Sequence, residues 1–116
     1  MDNNNEKTIY RLVNPEFDFE FMGKVYTLRK ATLDKAIQYQ TKLKELSGDS
    51  ASDAKLISFC IYIMLKDQNS ELTEEIVLNN IPADIDALEV LTILGFMSPT
   101  KLNEAKEILK KIYQKQ

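Results

Sequence analysis

The sequence predicts an α+β domain, an N-terminal β-hairpin followed by a compact bundle of about five helices. Three observations carry that reading. Residues 17–29 alternate apolar with charged or polar side chains around a single Gly-Lys pair. Beyond them, apolar residues recur at helical spacing in segments separated by Gly48, Pro82 and Pro99. The 116 residues make one domain's worth of chain, and a chain of that size buries about two-thirds of the surface it exposes when unfolded. Its core therefore needs no metal or disulfide staple.

Residues 1–15 are expected to be a flexible or short-strand segment, with residues 16–116 forming the domain. Asn3, Asn4 and Asn5 suit a loose tail, whereas Ile9, Tyr10, Leu12 and Val13 suit a short strand before Pro15. The hairpin spans 17–30. Phe17-Asp18-Phe19-Glu20-Phe21 has the period of two expected of a half-buried strand. Gly23-Lys24 fits a two-residue turn with glycine at its first central position. That turn sets Phe21 opposite Tyr26, Phe19 opposite Leu28 and Asp18 opposite Arg29. One face is then apolar, and the other carries an opposite-charge pair.

Helices are expected at about 33–47, 52–66, 73–80, 84–97 and 99–115. Thr32 is the N-cap candidate for the first, which carries Leu33, Ala36, Ile37, Leu43 and Leu46 at helical spacing and stops at Gly48. Ser50 with Asp53 three residues on resembles a capping box for the second. Its stretch Leu56–Leu65 is apolar almost all round, which marks a helix enclosed by others. A buried strand competes there, because Ile57, Phe59, Ile61, Tyr62 and Ile63 favour strands. Thr73-Glu74-Glu75 opens a short helix with acids at its positive end, and Ile81-Pro82 breaks it. Ile85, Leu88, Leu91, Leu94 and Phe96 form the inward face of the fourth helix. Ser98-Pro99 starts the last with a first-turn proline, on which Leu102, Ala105, Ile108, Leu109, Ile112 and Tyr113 make one narrow apolar stripe.

Composition points away from most enzyme chemistry. The chain has no histidine and one cysteine, which excludes an imidazole base, a Ser-His or Cys-His pair and a zinc site. Cys60 sits in the most apolar segment, where a free thiol behaves as a small hydrophobe. Asp84 with Asp86, and Glu74 with Glu75, are the only paired carboxylates suggestive of acid-base or metal work. Their position at helix starts already explains them. Asp67–Glu71 lacks the central glycine and terminal glutamate of a calcium loop. The expectation is no catalytic residue, no cofactor and no metal.

Charge is unevenly distributed. Seven acids lie between Asp67 and Thr100, where there is no lysine or arginine, whereas Lys101–Gln116 holds five lysines against two glutamates. The complementary contact residues expected are Glu74, Glu75, Asp84, Asp86 and Glu89 on one side and Lys106, Lys110, Ile112 and Tyr113 on the other. Such an arrangement suits a homo-oligomer or a charged protein partner. The net charge of −3 and the lack of arginine near those lysines argue against nucleic acid.

The stretch from Phe17 to Thr32, with Gly23-Lys24, Tyr26 and Leu28-Arg29, resembles the N-terminal region of tail assembly chaperones of long-tailed bacteriophages, and the likeness runs loosely to about Met97. The resemblance implies a small non-enzymatic factor, the short form of the chaperone. Such a factor binds the long helical tape measure protein and helps recruit tail tube protein around it. The alternative is a small structural tail or connector protein retained in the virion. A bacterial DNA-binding domain is a third reading, and it lacks a basic recognition helix backed by a scaffold. Met1–Lys7 has no basic start and apolar run of a signal peptide, and Leu56–Leu65 is too short for the roughly 20 residues a membrane crossing needs. The expected location is the host cytoplasm, away from membranes.

Overall fold

The computed structural model describes residues 8–114, with the backbone alone for Lys101, Leu102, Ala105, Tyr113 and Gln114. Strands β1 (Phe17–Phe21) and β2 (Lys24–Leu28) precede helices α1 (Leu33–Glu45), α2 (Ser52–Leu65), α3 (Glu74–Leu78), α4 (Ala87–Leu94) and α5 (Pro99–Gln114). A single 3-10 turn, Lys66–Gln68, follows α2. No helix among the described residues is long and apolar enough to cross a membrane. Of the N-terminal segment, residues 1–7 lie outside the described residues, as does Lys115 at the end of the last predicted helix. Residues 8–16 run without a strand partner.

The hairpin turns one residue earlier than the sequence suggested. Phe21 pairs with Lys24, Phe19 with Tyr26 and Phe17 with Leu28, so the turn is Met22-Gly23. Both residues have positive φ, 55° and 76°, the sense of a type I′ turn, whose twist matches that of the strands. Moving the turn by one residue moves every pair by two, so each strand keeps its faces and changes only its partners. Phe17 gains Leu28 as its neighbour where the expected register gave it Lys30. Asp18 stands opposite Thr27, whose hydroxyl donates to Asp18 Oδ1 at 3.3 Å. Arg29 lies 3.7 Å from Glu16 instead.

Helix α2 is the centre of the core. Leu56, Ile57, Cys60, Ile61, Met64 and Leu65 join Tyr26, Leu28, Leu46, Leu72, Val77, Leu91 and Leu94 in one buried cluster. A segment covered on nearly all sides by hairpin and helices satisfies its backbone internally, which a helix does and an isolated strand does not. Its buried Ser58 hydroxyl donates to Ala54 O at 2.7 Å. The hairpin is held to the loop after α2 by polar contacts. Gln68 Nε2 donates to Thr27 O at 2.8 Å, and Asn69 Nδ2 to the Tyr26 hydroxyl at 3.1 Å.

Several helix ends differ from expectation, α1 and α3 stopping at Glu45 and Leu78 rather than at 47 and 80. Thr32 is the N-cap of α1, but its hydroxyl bonds to Asp34 and caps no backbone amide. The Ser50–Asp53 box does not form. Ala51 is the N-cap of α2, and Asp49 accepts from Ala51 N and from Lys55 Nζ, each at 2.8 Å. The Lys55 hydrogen bond, then the Ala51 amide, hold the Asp49 carboxyl below its ordinary pKa. The fourth helix occupies only Ala87–Leu94 of the expected 84–97. Asp86 Oδ1 caps its start by accepting from Glu89 N at 3.1 Å. Gly95, at φ 95°, ends it. Phe96 N donates to Leu91 O at 2.8 Å and Gly95 N to Thr92 O at 3.1 Å, the paired bonds of a Schellman cap. At this end Ala31 N donates to Leu94 O at 2.8 Å, so the chain leaving the hairpin is bonded to α4.

Candidate interaction surfaces

The apolar residues of α1 do not all face the core. Leu46 is buried, but Leu33 is 84% exposed and Ile37 and Leu43 are also exposed. The covered side of α1 runs through Lys35, Ala36, Gln38, Tyr39 and Lys42. Lys42 lays its stem against the core, with its ammonium 5.2 Å from the Phe59 ring centre and 3.7 Å from Glu74. A long basic side chain covers apolar surface in this way while its head stays wet. The Tyr39 ring packs at 5.5 Å from Phe96, and burial raises its hydroxyl pKa, with the Cys60 thiol nearby adding to the rise.

The acidic candidates have local roles. Glu74 pairs with Lys42 of the same chain. Glu75 sits in the first turn of α3, which Thr73 caps by accepting from Ile76 N at 3.1 Å. Asp86 is the α4 cap and Glu89 lies one turn on, both exposed. Asp84 is exposed in the turn before them. No group of three or more Cys, Asp or Glu side chains among the described residues is placed to hold a metal ion. Cys60 is fully buried, and burial pushes its thiol up to about 12.

Helix α5 has no buried side chain among its described residues. Lys106, Lys110, Ile108, Leu109 and Ile112 are all exposed, and the Tyr113 side chain lies outside the described residues. Among the described residues, no ion pair joins the α5 lysines to the acidic stretch. The Cα radius of gyration is 17.6 Å, against about 13 Å for a compact domain of similar length. On this sixteen-residue helix the described apolar residues Ile108, Leu109 and Ile112 are exposed with lysines beside them.

The N-terminal segment is a second uncovered surface. Ile9, Tyr10, Leu12 and Val13 are exposed, and the segment ends where Asn14 is bound to the hairpin. Asn14 Nδ2 donates to Lys30 O and Lys30 N donates to Asn14 Oδ1, both at 2.9 Å. Nothing in the sequence marks Asn14 as that clamp or Leu33 and Ile37 as exposed. Both depend on which neighbours the fold supplies. No family model, no curated protein and no solved structure matches this chain.

Proposed function

We propose that this chain is a tail assembly chaperone of a long-tailed bacteriophage, acting without catalysis in the host cytoplasm. It binds the helical tape measure protein through α5 and helps recruit tail tube protein around it. The observation that carries this reading is the exposed Ile108, Leu109 and Ile112 stripe on the lysine-bearing helix α5. A client helix with its own apolar stripe and acidic flanks is the complementary shape and charge. The hairpin from Phe17 to Thr32, similar to the start of such chaperones, supports the same reading.

The test is a binding titration with a helical tape measure fragment, using the full chain and its Ile108→Asp and Ile112→Asp variants. Each loss of a buried isoleucine removes about 1.5–3 kcal/mol, so affinity should fall roughly tenfold to hundredfold per variant. Thermal melting should not change, because both side chains are exposed in the free protein. Binding should also weaken between 0.05 and 0.5 M salt, as the screening length shrinks from roughly 14 to 4 Å. Unaltered affinity in both variants refutes the α5 site. Recovery of the chain from purified mature particles refutes the chaperone role and leaves a structural tail or connector protein.

A further inference from the structure

The two-stranded sheet is unfinished along one edge. Phe21 and Lys24 flank the two-residue turn, so they and alternate pairs beyond them exchange the hydrogen bonds within the hairpin. The backbone N–H and C=O of Asp18 and Glu20 therefore point outward from β1, and those of Val25 and Thr27 outward from β2. The β2 edge is partly closed, since Gln68 caps Thr27 O at 2.8 Å. Among the described residues, no hydrogen bond covers the β1 edge in this way. The side chains repeat the asymmetry: Tyr26 and Leu28 on β2 are buried, whereas Phe17, Phe19 and Phe21 on β1 are only half-buried. A two-stranded sheet is marginal by itself, and among the described residues no further strand pairs on the side where its phenylalanines are half-covered.

The same chain carries a strand without a sheet. In residues 8–13, Tyr10 is 86% and Leu12 88% exposed, and Ile9 and Val13 are exposed as well. The segment is rich in residues that favour strands. Tyr10 and Leu12 fall on one side of an extended chain, and Arg11 on the other. Arg11 and Glu20 have no hydrogen-bond or ion-pair partner among the described residues, whereas Asp18 is engaged by Thr27 and Glu16 by Arg29. Pro15 separates this segment from β1 and supplies no N–H.

We propose that residues 8–13 are an exchange arm, which adds to the β1 edge of a second copy as an antiparallel strand with Arg11 opposite Glu20. In that register Leu12 lies opposite Phe19 and Tyr10 opposite Phe21, so the arm's apolar side completes the phenylalanine row. Val13 lies opposite Asp18. The outward bonding groups of Asp18 and Glu20 are then used, and the charges match across the pair. The contact is reciprocal: the second copy's arm occupies the first copy's edge, giving a closed two-fold dimer. The acidic edge and the single arginine favour this arm over the α5 helix of a second copy, which offers no backbone groups to an open strand edge.

Sedimentation velocity on the full chain, combined with amide hydrogen exchange, tests the proposal. The full chain should form a dimer that dissociates on dilution, with the Asp18 and Glu20 amides protected only in the dimer. Deleting residues 1–13 should give a folded monomer, since Asn14 and its clamp on Lys30 remain. Arg11→Glu and Glu20→Lys should each weaken dimerisation at least about tenfold, and the double variant should restore it, because only the like-charge pairing is unfavourable. A monomeric full chain at about 100 μM, a concentration well above the Kd of a specific micromolar dimer, overturns the proposal. So does a dimer that survives the deletion, or a charge swap that restores nothing.

Discussion

Replacing Gly95 with alanine should unfold the protein more readily than any other single methyl addition to its backbone. The cost has two parts. A left-handed residue other than glycine costs about 1–2 kcal/mol, and Gly95 has φ 95°. The added Cβ would also lie 2.7 Å from Ala31 N and 2.7 Å from Lys30 Cβ. Neither is the far end of a flexible side chain, so the hairpin exit and the α4 end must move apart. That movement strains the Ala31 N to Leu94 O bond of 2.8 Å, and a buried group left unpaired costs about 1–3 kcal/mol. The sum is about 2–5 kcal/mol.

Gly48 supplies the control. It has φ 85° and nothing within 4 Å of an added Cβ, so Gly48→Ala should cost only the conformational part, about 1–2 kcal/mol. Urea unfolding followed by far-ultraviolet circular dichroism measures both, at an m-value of about 1–3 kcal/mol/M for a small domain. The expected result is a midpoint for Gly95→Ala clearly below that for Gly48→Ala. Equal losses would show that the hairpin and α4 are not in close contact at this point, and the reasoning would fail.

Met22→Asn should stabilise the hairpin by up to about 1 kcal/mol, because asparagine tolerates the left-handed conformation better than methionine. A lower urea midpoint in this variant would instead place the turn at Gly23-Lys24. Cys60 should resist thiol reagents in the folded protein and react only as fast as the core opens. Burial raises its folded pKa to about 12 from the ordinary 9.0, so the folded state holds the proton more tightly. The corresponding stability is whole below pH 9.0 and declines as pH rises towards 12. At about pH 10.5 the loss is of the order of 2 kcal/mol. Comparing the urea midpoint of the wild type with that of Cys60→Ala at neutral pH and at that pH isolates it. A constant gap between the two proteins would mean that Cys60 is accessible to water.

Sequence alone determined the features set by neighbours a few residues apart. The period of two in Phe17–Phe21 and the helical spacing further on placed the hairpin and all five helices. Pro99 and Glu74 placed two helix starts within a residue of where they lie. The enclosed character of α2 was legible because nine of the ten residues of Leu56–Leu65 are apolar and the one exception, Ser58, leaves no polar face. The faces of the hairpin were legible too, since a shift of two residues in pairing does not turn a side chain over.

Tertiary structure decided what depends on distant partners. The register pairs Phe17 with Leu28 and Phe21 with Lys24, a choice that the alternation of the two strands leaves open, because both registers keep the same faces. Gly95 falls within the helical spacing of Ile85, Leu88, Leu91, Leu94 and Phe96, and only the fold shows that Lys30 and Ala31 lie against it. The spacing of Leu33, Ile37 and Leu43 is that of an inward face, yet α1 turns Lys42 and Tyr39 to the core. A helix chooses its covered side by the volume its neighbours leave, and Lys42 reaches both Phe59 and Glu74 from there. For α5 the stripe was legible and the exposure of Ile108, Leu109 and Ile112 was not, because a stripe has the same pattern whether it meets its own domain or another chain.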